Sequence, residues 1–113
     1  MATIEDIRRI ALALPGAVEL RDHGGYWFNV GKKTFVLYGF PSARWLFKLP
    51  KPRQELLFEA RPGVFQPYRA GAMLWSYVDL EQLELDETKS LVTDAWTTIV
   101  SNRVAREYMQ TRP

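Results

Sequence analysis

The stretch Tyr26–Leu49, YWFNVGKKTFVLYGFPSARWLFKL, constrains the fold of this chain more than any other. Tyr26–Val30 and Lys33–Tyr38 are rich in β-branched and aromatic residues, which fit a pleated surface. Gly31-Lys32 separates them. A two-residue loop with glycine first suits a type II′ hairpin, because that position needs a positive φ. The loop sets the register: Val30 opposite Lys33, Phe28 opposite Phe35, Tyr26 opposite Leu37. Cross-strand partners share a face. Tyr26, Phe28, Val30, Phe35 and Leu37 are therefore expected on a core face. Trp27, Asn29, Thr34, Val36 and Tyr38 fall on a mixed second face. Gly39–Ala43 is a loop by its breakers. Arg44–Leu49 then alternates, with Trp45, Phe47 and Leu49 inward and Arg44, Leu46 and Lys48 on the mixed face.

The flanking segments supply helices and further strands. Thr3 followed by Asp6 resembles a capping box, and Ile4, Ile7, Ile10, Ala11 and Leu14 form one stripe, so a helix is expected over Thr3–Leu14. Pro15-Gly16 stops it. Ala17–Arg21 reads as a short strand and Asp22–Gly25 as a turn. Pro50 and Pro52 bracket the start of a second helix, Arg53–Ala60, with Leu56, Leu57 and Ala60 inward. Phe65–Tyr68 is extended but holds a proline, which confines it to an edge or a loop. Ala70–Ala72 turns the chain into a strand, Leu74–Val78. A last helix begins near Asp86 as N-cap. Leu91, Ala95 and Ile99 make one row on it, and Val92, Trp96, Val100, Val104 and Tyr108 the next. Ser101-Asn102 bends or splits it. The order α-β-β-β-β-α-β-α describes a single α+β domain over residues 1–113, with an antiparallel sheet and helices packed on one face in two layers.

A chain of 113 residues buries roughly two-thirds of its unfolded surface and needs no staple. It has no cysteine, which excludes disulfides, zinc–thiolate sites and thiol chemistry. Glu5 and Asp6 near the start do not fit the basic-then-apolar order of a signal peptide, and no apolar run is long enough for a bilayer. A cytoplasmic protein with no membrane partner is expected. The net charge of +2 conceals an asymmetry. Residues 26–73 carry eight lysines and arginines against two acids, whereas 79–94 carry six acids and one lysine. Such a dipolar surface steers an anionic partner to one side or simply keeps two faces solvated.

Chemistry-bearing motifs are sparse. His23 is the sole histidine, with Glu19 and Asp22 nearby, but no nucleophile stands in a recognisable motif around it. Gly31-Lys32-Lys33 lacks the spacing and following helix of a phosphate loop. Glu81, Glu84, Asp86 and Glu87 lack the ligand alternation and glycine of a calcium loop. No catalytic residue, metal or cofactor is expected, and the chain does not read as an enzyme. Trp45, Trp75 and Trp96 sit on core periodicities. Trp27 falls on the mixed face, and Tyr68 and Arg69 lie in a proline-bearing segment. One functional expectation is nucleic-acid binding. Lys32 and Lys33 at the hairpin tip would contact phosphates, with Arg44, Lys48, Lys51, Arg53 and Arg69 extending the basic strip and Trp27 stacking. The other is a protein-interaction or chaperone-like adaptor that uses a sheet face or edge. An exposed apolar patch around Trp27, Val36 and Tyr38 favours the adaptor; its coverage favours nucleic acid.

The sequence also resembles the MmcQ/YjbR family. The similarity is carried by Leu14–Glu19 (LPGAVE), Phe28–Phe35 (FNVGKKTF), Leu46–Leu49 (LFKL), Trp75–Leu80 (WSYVDL) and Ala95-Trp96 through Arg103-Val104. Their order and spacing cover nearly the whole chain. The resemblance implies a CyaY-like or secretion-chaperone-like α+β fold and double-stranded DNA as partner through a double-wing arrangement of hairpins. It brings no catalytic residues. Where the family commonly has a Ser-Tyr pair in the last helix, this chain has Ala95-Trp96.

Overall fold

A computed structural model describes residues 1–22, 24–39, 44–68 and 75–111. Helix α1 (Ile4–Leu12) starts where the capping box requires. The Asp6 amide donates to Thr3 Oγ1 at 3.3 Å, and the Thr3 amide donates to Asp6 Oδ2 at 3.0 Å, so two otherwise orphaned donors are satisfied. Strands β1 (Ala17–Asp22), β2 (Gly25–Val30), β3 (Lys33–Gly39) and β4 (Arg44–Lys48) follow, then α2 (Lys51–Ala60), β5 (Phe65–Pro67) and β6 (Trp75–Val78). A 3-10 turn at Leu80–Gln82 leads into α3 (Leu85–Thr97) and α4 (Asn102–Thr111). The six strands form one antiparallel sheet in the order β1-β2-β3-β4-β6-β5. Proline-bearing β5 takes the edge, where a missing N–H costs no ladder bond.

The β2–β3 hairpin begins in the expected register and then departs from it. Gly31 has φ +62°, and Val30 pairs with Lys33 and Asn29 with Thr34. Between Phe28 and Asn29 the ladder slips, so Phe28 faces Val36, not Phe35. A β-bulge of this kind places one extra residue on one strand. The gain is burial: Phe35 and Val36, adjacent in sequence, are both fully buried. Strict alternation would leave one of them outside. Beyond the bulge every side chain changes face, so Leu37 lies on the second face and Val36 and Tyr38 on the core face, the reverse of the expectation.

The core lies between the sheet and the helices. Phe28, Phe35, Val36 and Phe47 meet Ile7 and Ala11 of α1 and Leu91, Val92, Ala95 and Trp96 of α3. The inward face of α2 is Gln54, Leu57 and Phe58, whereas Leu56 and Ala60 point to solvent. The helix also starts earlier than expected, at Lys51 with Pro52 in its first turn. Glu84, not Asp86, is the N-cap of α3, and Asp86 sits in the first turn. The long final helix is split. Ser101 Oγ accepts from the Val104 amide at 3.1 Å and so caps α4, while Tyr108 returns to pack edge-on against Trp96 at 5.2 Å. His23, the loop residues 40–43, and 69–74, which include Arg69, the 70–72 turn and Leu74, lie outside the described residues.

Candidate functional site

The buried and half-buried residues of α1, α2 and α3 pack into the core on one face of the sheet. The other face is built from alternate residues. Leu20, Trp27, Leu37, Leu46, Tyr77 and Gln66 stand opposite one another, one per strand, across all six strands. With strands about 4.8 Å apart the row spans about 24 Å. Leu20 is 50% exposed, and Val18 beside it on β1 47%. Trp27, Leu37 and Tyr77 are half-buried. Leu46 and Trp75 are buried yet stand outside the core cluster. Trp75 pairs with Lys48 and therefore points away from the helices, so its burial is not in the main core as its periodicity suggested.

The expected basic strip is divided. Val36 pairs with Phe47 in antiparallel fashion, so the strand end with Lys32 and Lys33 lies beside the one with Lys48 and Lys51. None of these four lysines has an ion-pair partner among the described residues. Arg44 pairs with Gly39 at the opposite end of the sheet, about 13 Å along the strand from Lys48. Its guanidinium lies 3.7 Å from the Tyr77 ring centroid and donates to Gln66 Oε1 at 2.9 Å. Arg53 turns toward the helical layer and pairs with Asp94 at 3.6 Å. Burial pushes the Asp94 carboxyl above its ordinary value, partly offset by Arg53. Trp27 shares the second face with Lys48, and Tyr68 packs edge-on against Tyr77 at 5.6 Å. Arg69 and His23 fall outside the described residues.

The expected exposed patch of Trp27, Val36 and Tyr38 does not form, because Val36 is fully buried and, with Tyr38, lies on the core face, so that criterion does not favour the adaptor; sequence reasoning also missed Val18, Leu20, Leu37 and Tyr77 on the second face. In β1 the polarity is inverted: Val18 and Leu20 face outward while Glu19 faces the helical layer. There Arg8 of α1 donates to both Glu19 oxygens, at 2.7 and 3.1 Å, and Arg21 donates to one at 2.8 Å. These bonds, led by Arg8, hold the Glu19 carboxyl below its ordinary value. The Val18/Leu20 alternation was visible, but periodicity alone assigns an apolar side to the core.

Comparison with known proteins settles the lineage. Residues 12–98 match the YjbR family model. The chain belongs to the YjbR family. In structure it is similar to the Deinococcus radiodurans protein DR2400, which carries a DUF419 domain. The TM-score is 0.76 at 21% identity, covering 95% of this chain and 88% of the other. Likeness at that identity speaks for the shared α+β fold. No curated protein matches the chain in sequence. The YjbR match takes in the whole sheet and α3, leaving most of α1 and all of α4 outside it. No helix among the described residues is long and apolar enough to cross a membrane.

Proposed function

We propose that this YjbR-family protein is a protein-interaction module whose second sheet face holds an amphipathic segment with acidic residues. One observation carries this reading. A contiguous row of apolar side chains crosses the second face from Leu20 to Tyr77, exposed at Leu20, half-buried at Trp27, Leu37 and Tyr77 and buried at Leu46, with four lysines at one end that have no ion-pair partner among the described residues. An exposed apolar patch with a polar rim is the usual signature of a partner surface. Lys32, Lys33, Lys48 and Lys51 favour acidic groups at the rim and raise the encounter rate. A second reading rests on the same lysines: as a cluster at a hairpin tip they suit phosphates of duplex DNA, which position a protein without reading sequence.

A single binding assay separates the two. The full chain is titrated against fluorescent amphipathic peptides of one apolar pattern, carrying either acidic or basic polar residues, and against a labelled DNA duplex at two salt concentrations. The expected result is saturable binding of acidic peptides that is lost in Trp27→Ser. Equal binding of acidic and basic peptides, or none, overturns the adaptor reading. Duplex binding that weakens steeply with salt and disappears in the Lys32→Glu, Lys33→Glu double variant installs the nucleic-acid reading in its place.

A further inference from the structure

A cleft of about 720 Å³ opens at the sheet end that carries Tyr38 and Arg44, within the size range of small-molecule sites. Two segments distant in sequence, Met1–Ile4 and Val78–Glu81, contribute to its walls. The Ala2 amide donates to the Leu80 carbonyl at 3.1 Å and ties these segments together. Three residues of adjacent strands line the cleft with rings: Tyr26 pairs with Tyr38, and Tyr38 with Trp45. Ring centroids are 6.2 Å apart for Tyr26–Tyr38 and 5.1 Å for Tyr38–Trp45, tilted by 43° and 51°. Tyr26 is already engaged, with the Arg8 and Arg21 guanidinium groups at 5.6 and 5.7 Å from its ring centroid. Tyr38 and Trp45 are only half-buried, and no cation covers either ring among the described residues. The Tyr38 hydroxyl and the Trp45 indole N–H have no hydrogen-bond partner among the described residues, and neither atom is sealed from solvent.

Net charge favours neither sign of ligand. Asp79 and Glu81 line the cleft together with Arg44 and the Met1 α-ammonium, two groups of each sign. An ion entering it gives up water and meets no net charge in return. An uncharged ring escapes that cost and gains contact with Tyr38 and Trp45, where aromatic pairing adds to simple burial. Both side chains also carry a polar tip, which needs a partner once a ligand displaces water from it. A ligand that satisfies ring and tip together is aromatic and carries a hydroxyl. We infer that this cleft binds a small uncharged aromatic alcohol or phenol, its ring against Tyr38 and Trp45 and its hydroxyl bonded to one of their polar tips. The site is independent of the peptide surface proposed above, because these rings and the apolar row belong to opposite faces of the sheet.

The test is an NMR titration of the full chain with benzyl alcohol and, separately, with benzylammonium, benzoate and cyclohexylmethanol. The four tryptophans give four indole N–H signals, and sequential assignment identifies that of Trp45. Benzyl alcohol is expected to shift the Trp45 signal saturably while Trp27, on the other face of the sheet, stays in place. The cation and the anion are both expected to bind more weakly than the alcohol, because each must shed the water around its charge. Cyclohexylmethanol, of similar size but without a π-face, binds about two- to twelvefold more weakly, the range for one aromatic pair. Tyr38→Leu lowers the affinity for benzyl alcohol by a comparable factor. The ligand series is read on the unaltered chain and so decides the matter even where that variant fails to fold. No saturable shift at Trp45, an equal shift at Trp27, or an affinity for either ion or for cyclohexylmethanol that matches benzyl alcohol overturns the inference.

Discussion

Trp96 is fully buried in α3, and its indole N–H donates to the Pro15 carbonyl at 3.1 Å. Its inward direction follows from the row Val92, Trp96, Val100. Its acceptor does not, because the two partners lie 81 residues apart and meet only when α3 lies against the end of α1. Trp96→Phe removes the donor, leaves a carbonyl without its partner and opens a small void. A loss of about 1–3 kcal/mol is expected, measured as a lower urea midpoint with an unchanged m-value. At the hairpin tip, Gly31 holds φ +62°, a conformation that costs an L side chain about 1–2 kcal/mol. Gly31→Ala should therefore destabilise by that amount in the same measurement, although an added Cβ meets nothing within 4 Å. The glycine's role was legible from its position first in a two-residue loop.

At the scale of elements, β1 is the instructive case. An edge strand with an inward-pointing charge resists pairing with another sheet, and Glu19 is that charge. Arg8 and Arg21 satisfy it, so the same carboxylate fastens α1 to β1. Glu19→Gln is expected to cost about 1.5–3 kcal/mol near neutral pH, the scale of hydrogen bonds to a charged group. The pH dependence has a definite sign. The folded-state pKa of Glu19 is depressed from 4.5, so its stabilisation is fully present above that value. It is lost as pH falls through the lower folded value. Urea midpoints of the two proteins should differ at neutral pH and converge in acid. Asp6, lowered chiefly by the Thr3 amide, keeps a residual acid dependence in both. The bulge is the second lesson at this scale. Turn chemistry sets where a register starts, but the chance to bury Phe35 and Val36 together decides where it slips, and a one-residue slip exchanges faces for everything after it.

For the whole molecule, the proposed function puts recognition on the face of the sheet opposite the core. Phe47, fully buried on the core face, should cost about 3–5 kcal/mol as Phe47→Ala. Leu20, half exposed on the other face, should cost within about 0.5 kcal/mol as Leu20→Thr. Yet it is Leu20→Thr that is expected to weaken capture of acidic amphipathic peptides. Thermal melts and peptide titrations of the two variants read the contrast directly.

Local chemistry was enough to determine the elements of this protein. The capping box of α1, the Gly31 turn, the alternation of β4, the proline-bearing edge strand and the Ser101 break are each written in residues a few positions apart. From these the two-layer α+β class follows, because each element buries one face. The tertiary structure alone decided which face that is. Val18 and Leu20 look like core, and Glu19 like surface, until Arg8 arrives from α1; Leu37 and Tyr38 trade places because of burial at Phe35 and Val36. Periodicity reports that a strand has two unlike sides, but the free energy of burial that chooses between them comes from partners distant in the chain.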